Sequence, residues 1–167
     1  MIREKILTYT IFWYKLQQVK QMKPGFSSFD LLIERRASMK TIRQTVTFKA
    51  SRHEVYELLM DAKKHSELTG SDVKLSRKAG DKFSIYSGEI EGVNLELVPD
   101  AKIVQSWRYS DWPKGHYSRV AFSLKDVEGG TRLTFIQEHV PDEHLEDIKQ
   151  GWRDYYWNPM KKMLKKC

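Results

Sequence analysis

Between residues 72 and 140 six short runs follow one another with very little chain between them: DVKLSR, KFSIYS, GVNLELV, IVQSWRY, HYSRVAFSL and RLTFIQEHV. Each has the length and composition of a strand, and the separators KAGD, PDAK, SDWPKG and DVEGG are turn-like. A parallel crossover needs about a dozen residues or more, so links this short force consecutive strands to be antiparallel neighbours. The result is a meander with one apolar face that something must cover. The cover is supplied by PDEHLEDIKQGWRDYYWNPMKKMLKK, in which Leu145, Ile148, Trp152, Tyr155, Tyr156 and Met163 recur at helical spacing. Asp142 suits its N-cap, and Lys161, Lys162, Lys165 and Lys166 sit at the negative end of its dipole. Pro159 lacks the N–H that would reach the Tyr155 carbonyl, which predicts a kink there. The expected architecture is α+β, a curved antiparallel sheet wrapped around a long C-terminal helix.

The same grammar begins at Met39. TIRQTVTF alternates with Ile42, Val46 and Phe48 on one face, and SRHE at 51–54 is a capping box opening a helix that buries Val55, Leu58 and Leu59. A shorter helix or turn through AKKHSELTG ends near Gly70. Residues 39–167 therefore read as one domain. Residues 1–38 read as an N-terminal extension, poorly ordered or outside the core, because ILTYTIFWYKLQQV is interrupted by Lys15 and followed by the turn chemistry of KPGFSS.

Several function classes are disfavoured. The net charge of +7 divides into +4 on residues 1–38 and +3 on the remainder, leaving no basic stripe for nucleic acid. No apolar run approaches the roughly 20 residues of a membrane span. The single cysteine, Cys167, has no partner for a disulfide or a thiolate metal site, and the composition is that of a cytoplasmic globular protein, monomer or weak dimer. Nucleophile elbow, phosphate-binding glycine loop, His-Glu-x-x-His and dinucleotide fingerprint are all missing, so no cofactor and no catalytic residue is expected. Glu138, His139, Asp142, Glu143 and His144 are close in sequence, but a strand end running into an acidic helix start accounts for them without a metal.

Strand alternation sets Ile103, Gln105, Trp107 and Tyr109 on one face, Val120, Phe122 and Leu124 on the next inner face, and Leu133, Phe135, Gln137 and His139 on the last. With Phe83, Ile85 and the helix residues Trp152, Tyr155 and Tyr156 these enclose the space between sheet and helix. Large aromatics fill cores, yet buried indole and phenol tips need partners, and Gln105, Gln137 and His139 are placed to provide them, directly or through a ligand. An apolar pocket with a few convergent polar groups is the usual form of a small-molecule site. Gly151 inside the helix marks close packing or a cavity mouth. Trp112, Lys114 and His116 in the SDWPKGH turn form a candidate partner surface, although a tryptophan before a proline in a connection is expected to tuck back on the core more often than to face a partner.

Trp107-Arg108, the Trp112-Pro113-x-Gly115-His116 turn, and Gly151-Trp152 followed by Tyr155-Tyr156 carry a resemblance over about residues 40–165. They look like the carboxy-terminal domain of the activator of heat-shock protein 90 ATPase, the Aha-type branch of the START-like superfamily that includes the major birch pollen allergen. That resemblance implies a helix-grip fold and an inner cavity for apolar molecules. It makes non-enzymatic binding of a small apolar or amphipathic ligand the expected function. A co-chaperone that binds heat-shock protein 90 and stimulates its ATPase is the alternative, and a cyclase- or hydrolase-like enzyme comes third. The eukaryotic activators carry in addition a larger amino-terminal domain, for which residues 1–38 are too short.

Overall fold

The computed structural model describes residues 39–165, and the expectation for residues 1–38 lies outside that range. Strand β1 (Met39–Phe48) leads into helices α1 (Arg52–Met60) and α2 (Ala62–Thr69). Strands β2 (Val73–Lys74), β3 (Lys82–Ile85), β4 (Ile90–Val98), β5 (Lys102–Tyr109), β6 (Ser118–Val127) and β7 (Gly130–Pro141) follow. Every pairing is antiparallel, in the order β1-β7-β6-β5-β4-β3-β2. The meander is thus as expected, with β1 closing it by pairing with the last strand.

Local chemistry explains the joints. Ser51 Oγ accepts from the Glu54 N–H at 3.2 Å and the Glu54 carboxylate accepts from the Ser51 N–H at 2.8 Å, the reciprocal cap of α1. Asp61 caps α2 by accepting from the Lys64 N–H at 2.9 Å, and Gly70 ends it at φ 65°, a left-handed position suited to glycine. At Gly92 a Cβ would lie 1.9 Å from the Ser106 carbonyl oxygen and 2.7 Å from the Phe83 ring, so only glycine lets β4 lie against β5 at this point.

The C-terminal helix has three parts, α3 (Leu145–Gly151), a π-helical segment (Trp152–Trp157) and α4 (Asn158–Met163). Backbone angles at the joints stay right-handed helical, and the Asn158 N–H bonds back five residues to the Arg153 carbonyl. This wider turn lies directly before Pro159, the residue expected to break the helix. It also shifts the buried stripe. Trp152, Tyr156, Trp157, Met160 and Leu164 face the sheet, whereas Tyr155, expected inside, is 64% exposed. Regular α-spacing would have turned Tyr155 inward and Trp157 away; the extra residue in the turn reverses that assignment.

Two glutamines fasten helix to sheet. Gln137, 0% exposed on β7, accepts from Trp152 Nε1–H at 2.7 Å and donates through Nε2 to Ser118 Oγ at 2.9 Å, and that hydroxyl donates to the Trp107 carbonyl. Gln44 on β1 accepts from Trp157 Nε1–H and donates to the Lys149 carbonyl at 2.8 Å. His139 departs from the expected face. Lys40 pairs with Val140 but Ile42 with Gln137, so two residues of β7 bulge opposite one of β1, and His139 sits at φ 63°. The bulge turns His139 out to solvent and Val140 into the core.

Candidate ligand site at the cleft between helix and sheet

The space between helix and sheet is filled with rings. Trp152 packs on Phe135 (centroids 4.4 Å apart), Tyr156 (4.5 Å), Trp157 (5.5 Å, stacked), Phe122 (5.8 Å) and Trp107 (6.0 Å). What remains is a cavity of ≈20 Å³ bordered by Ile85, Gln105, Trp107, Phe122, Trp152 and Tyr156 from the expected set, together with His65. One water needs roughly 10–15 Å³, so this interior accommodates a single water and no organic ligand. The polar tips expected to await a ligand are mostly satisfied by the protein. Gln105 donates to Asn94 Oδ1 at 2.8 Å, and Asn94 in turn donates to the Ser76 carbonyl at 2.7 Å. Phe83, Phe135 and Gln137 are core residues that border neither this cavity nor the cleft described below, and His139 is outside.

His65 is a buried residue that sequence reading missed. Its Nδ1–H donates to the Leu59 carbonyl at 3.1 Å, its ring meets Tyr156 edge-on at 5.6 Å, and Nε2 has no partner among the described residues. Burial pulls its pKa from 6.5 down to about 4. Between those two values the unfolded chain holds a proton that the folded chain does not, so stability falls as pH drops through 6.5 toward 4 and is insensitive to this group above about pH 7. Urea unfolding at pH 7, 6 and 5 is expected to show that slope, and His65→Leu to flatten it. A wild-type profile parallel to that of the variant would refute the assignment.

A wider opening, lined by the helix and sheet aromatics, lies at the end of the sheet. A cleft of ≈560 Å³ runs between the turn Tyr86–Gly88, the adjoining ends of β4 and β5, and α3 with the first turn of the π segment. Trp107, Tyr109, Trp152, Tyr155 and Tyr156, all expected at the site, come together here. Joining them are Tyr86, Ile90 and Ile148, and the polar Glu89, Asp111, His144 and Asp147. Tyr86 and Tyr156 both carry hydroxyls buried without a partner among the described residues. Burial raises the Tyr109 phenol pKa, and the Asp111, Glu89 and Asp147 carboxylates raise it further. Gly151 borders the cleft: a Cβ there would meet nothing nearer than Tyr155 Cδ2 at 3.8 Å, so the glycine keeps the mouth open instead of permitting close packing. The signals for Tyr86 and Glu89 were absent from the sequence, because a 3-10 turn and not strand alternation presents them.

In the SDWPKGH turn Trp112 is tucked back on the core, the favoured of the two readings, and does not form a partner surface. Trp112 is buried, edge-on to Trp107 at 5.2 Å and to His116 at 5.4 Å. Arg108 holds the turn by donating to the Ser110 and Trp112 carbonyls at 3.2 and 2.9 Å. His116 donates through Nε2 to the His139 carbonyl at 2.8 Å, which leaves Lys114 as the exposed member of the three. Among the described residues no group of three or more His, Cys, Asp or Glu side chains is placed to hold a metal ion, and no helix is long and apolar enough to cross a membrane.

A family model for activator of Hsp90 ATPase homolog 1-like proteins matches residues 49–165. The activator of 90 kDa heat shock protein ATPase homolog of Dictyostelium discoideum is 32% identical over 120 residues, covering 71% of this chain and 31% of that protein. Human activator of 90 kDa heat shock protein ATPase homolog 1 is 30% identical over 115 residues, 69% of this chain and 34% of its own length. The chain therefore spans about a third of the length of these relatives. A crystal structure of a heat-shock protein 90 activator from Plasmodium falciparum superposes with a TM-score of 0.70 at 27% identity, covering 75% of this chain and 96% of that one. With its curved antiparallel sheet and C-terminal helix, this chain belongs to the family of activator of Hsp90 ATPase homolog 1-like proteins.

Proposed function

We propose that the domain is a non-enzymatic binding module whose cleft takes a small amphipathic ligand. The observation that carries this is the ≈560 Å³ opening, walled by aromatic rings and edged by polar groups, with two buried hydroxyls unpartnered among the described residues. Its volume falls within the ordinary range of small-molecule sites. The packed interior behind the opening supports a ligand held at the helix mouth. Gly151→Leu supplies the test. The leucine side chain projects into the cleft, while removing a helical glycine favours the helix by somewhat less than about 1 kcal/mol. The expected result is weaker binding of an octyl glucoside probe, by tenfold or more in titration calorimetry, together with an unchanged or raised melting temperature. Tyr155→Ala, at an exposed wall position, should weaken binding without loss of stability. Undiminished binding in both variants would overturn the reading, and turnover of a bound compound would overturn its non-enzymatic part.

A second reading is binding to a heat-shock protein 90 chaperone with stimulation of its ATPase, favoured by what the relatives are named for. Lys114 is the exposed candidate contact, whereas Trp112 is sequestered. Adding the chain to a purified chaperone of this type should raise ATP turnover; an unchanged rate at saturating amounts would set the reading aside. Both readings assume a cytoplasmic location.

A further inference from the structure

The cleft has a chemical sign. Its acidic members Glu89, Asp111 and Asp147 are exposed at the rim, and none has a Lys or Arg partner within 4 Å among the described residues. Among the described residues no Lys or Arg borders the opening. The carboxylates come from three separate elements, the turn before β4, the turn after β5 and α3, so local sequence clustering does not account for their convergence. All three act on one phenol, Tyr109. Tyr86, Tyr109, Tyr155 and Trp107 line the same opening. Aromatic faces attract cations through their quadrupole, and a desolvated ring beside a carboxylate does so more strongly. Deeper in, Tyr156 is 5% exposed, borders the cleft, and carries a hydroxyl without a partner among the described residues.

Resting on the reading of the cleft as a small-molecule site, we propose that its ligand is a cationic amphiphile, an alkyl- or arylammonium compound. The ammonium group lies among the Glu89, Asp111 and Asp147 carboxylates and the tyrosine faces. The apolar part runs along Ile90, Ile148 and the open surface at Gly151. An anionic amphiphile in the same place would face three uncompensated negative charges, so the cleft discriminates by repulsion as well as by attraction.

Three probes with the same tail test this: octyltrimethylammonium, octyl glucoside and octyl sulfate, each titrated below its micellar concentration and followed by calorimetry and tryptophan fluorescence. The expected order is ammonium, then glucoside, then sulfate, with at least tenfold between first and last. The preference should shrink as salt is raised, because the carboxylates are exposed. In the triple variant Glu89→Gln, Asp111→Asn, Asp147→Asn the three affinities should converge to within about threefold. Equal affinities in the wild type, or a preference for sulfate, would overturn the cationic assignment and leave the ligand site standing. Failure of all three to bind at millimolar concentration would overturn the ligand site itself.

Discussion

Trp152→Ala is expected to lower stability by about 4 kcal/mol, the largest effect of any single truncation here, since deletion of a buried tryptophan leaves both lost transfer energy and an unfilled cavity. Trp152 is 4% exposed and in contact with five other rings. It borders both the ≈20 Å³ cavity and the cleft, so its removal is expected to enlarge the interior space between them. The change also leaves Gln137 Oε1 without its donor. For a domain of this size the loss corresponds to a fall of roughly 12–20 °C in melting temperature, readable by calorimetry. The variant should gain affinity for small apolar probes such as benzene, which the wild type has no interior room to take. A fall of under 5 °C would show that the ring cluster is loosely packed and that the interior, not only the mouth, is available to ligands.

The fold was largely legible because its determinants are local. Short turn-rich links dictate antiparallel neighbours, and Ser51 with Glu54 announces a helix start by their spacing alone. Two features escaped because each depends on one residue of slippage. In β7 the bulge opposite β1 inverts the face of His139, and a run such as RLTFIQEHV contains nothing that locates the extra residue. In the C-terminal helix the five-residue step before Pro159 exchanges Tyr155 for Trp157. There the sequence did hold a clue, since the proline marks where a regular ladder must fail, but not the form the failure takes.

The site was legible in part. Alternation and helical spacing brought Trp107, Tyr109, Trp152 and Tyr156 to one place, because those patterns report which residues face inward. They do not report how completely facing side chains fill the volume between them. That depends on ring geometry, and here it reduces the expected cavity to the size of one water. The acidic rim was invisible for another reason. Glu89, Asp111 and Asp147 lie in turns and on a helix start, where carboxylates are ordinary, and only the tertiary fold places them around one opening.

Gln137 decides between two accounts of the buried polar groups. As a structural staple it satisfies Trp152 Nε1–H and Ser118 Oγ in a fully buried position, so Gln137→Leu is expected to destabilise the domain by about 3 kcal/mol, chiefly by stranding the indole N–H. As a ligand-lining group it would instead be dispensable for folding and its loss would appear in binding. A double-mutant cycle with Trp152→Phe separates the two. The phenylalanine keeps most of the ring packing but carries no N–H, so in that background Gln137→Leu should be milder by about 1–2 kcal/mol. Chemical denaturation of the four proteins measures this coupling. Additive costs would dissolve the staple. A Gln137→Leu protein of undiminished stability with altered probe affinity would return the residue to the ligand site. The coupling bears on the proposed ligand site, since the bond between Gln137 and Trp152 fixes the helix against the sheet beside Trp152, which borders the cleft. Rigidity there is what lets a shallow opening keep one shape, and a preformed site avoids the ordering entropy that a collapsing one would pay on binding.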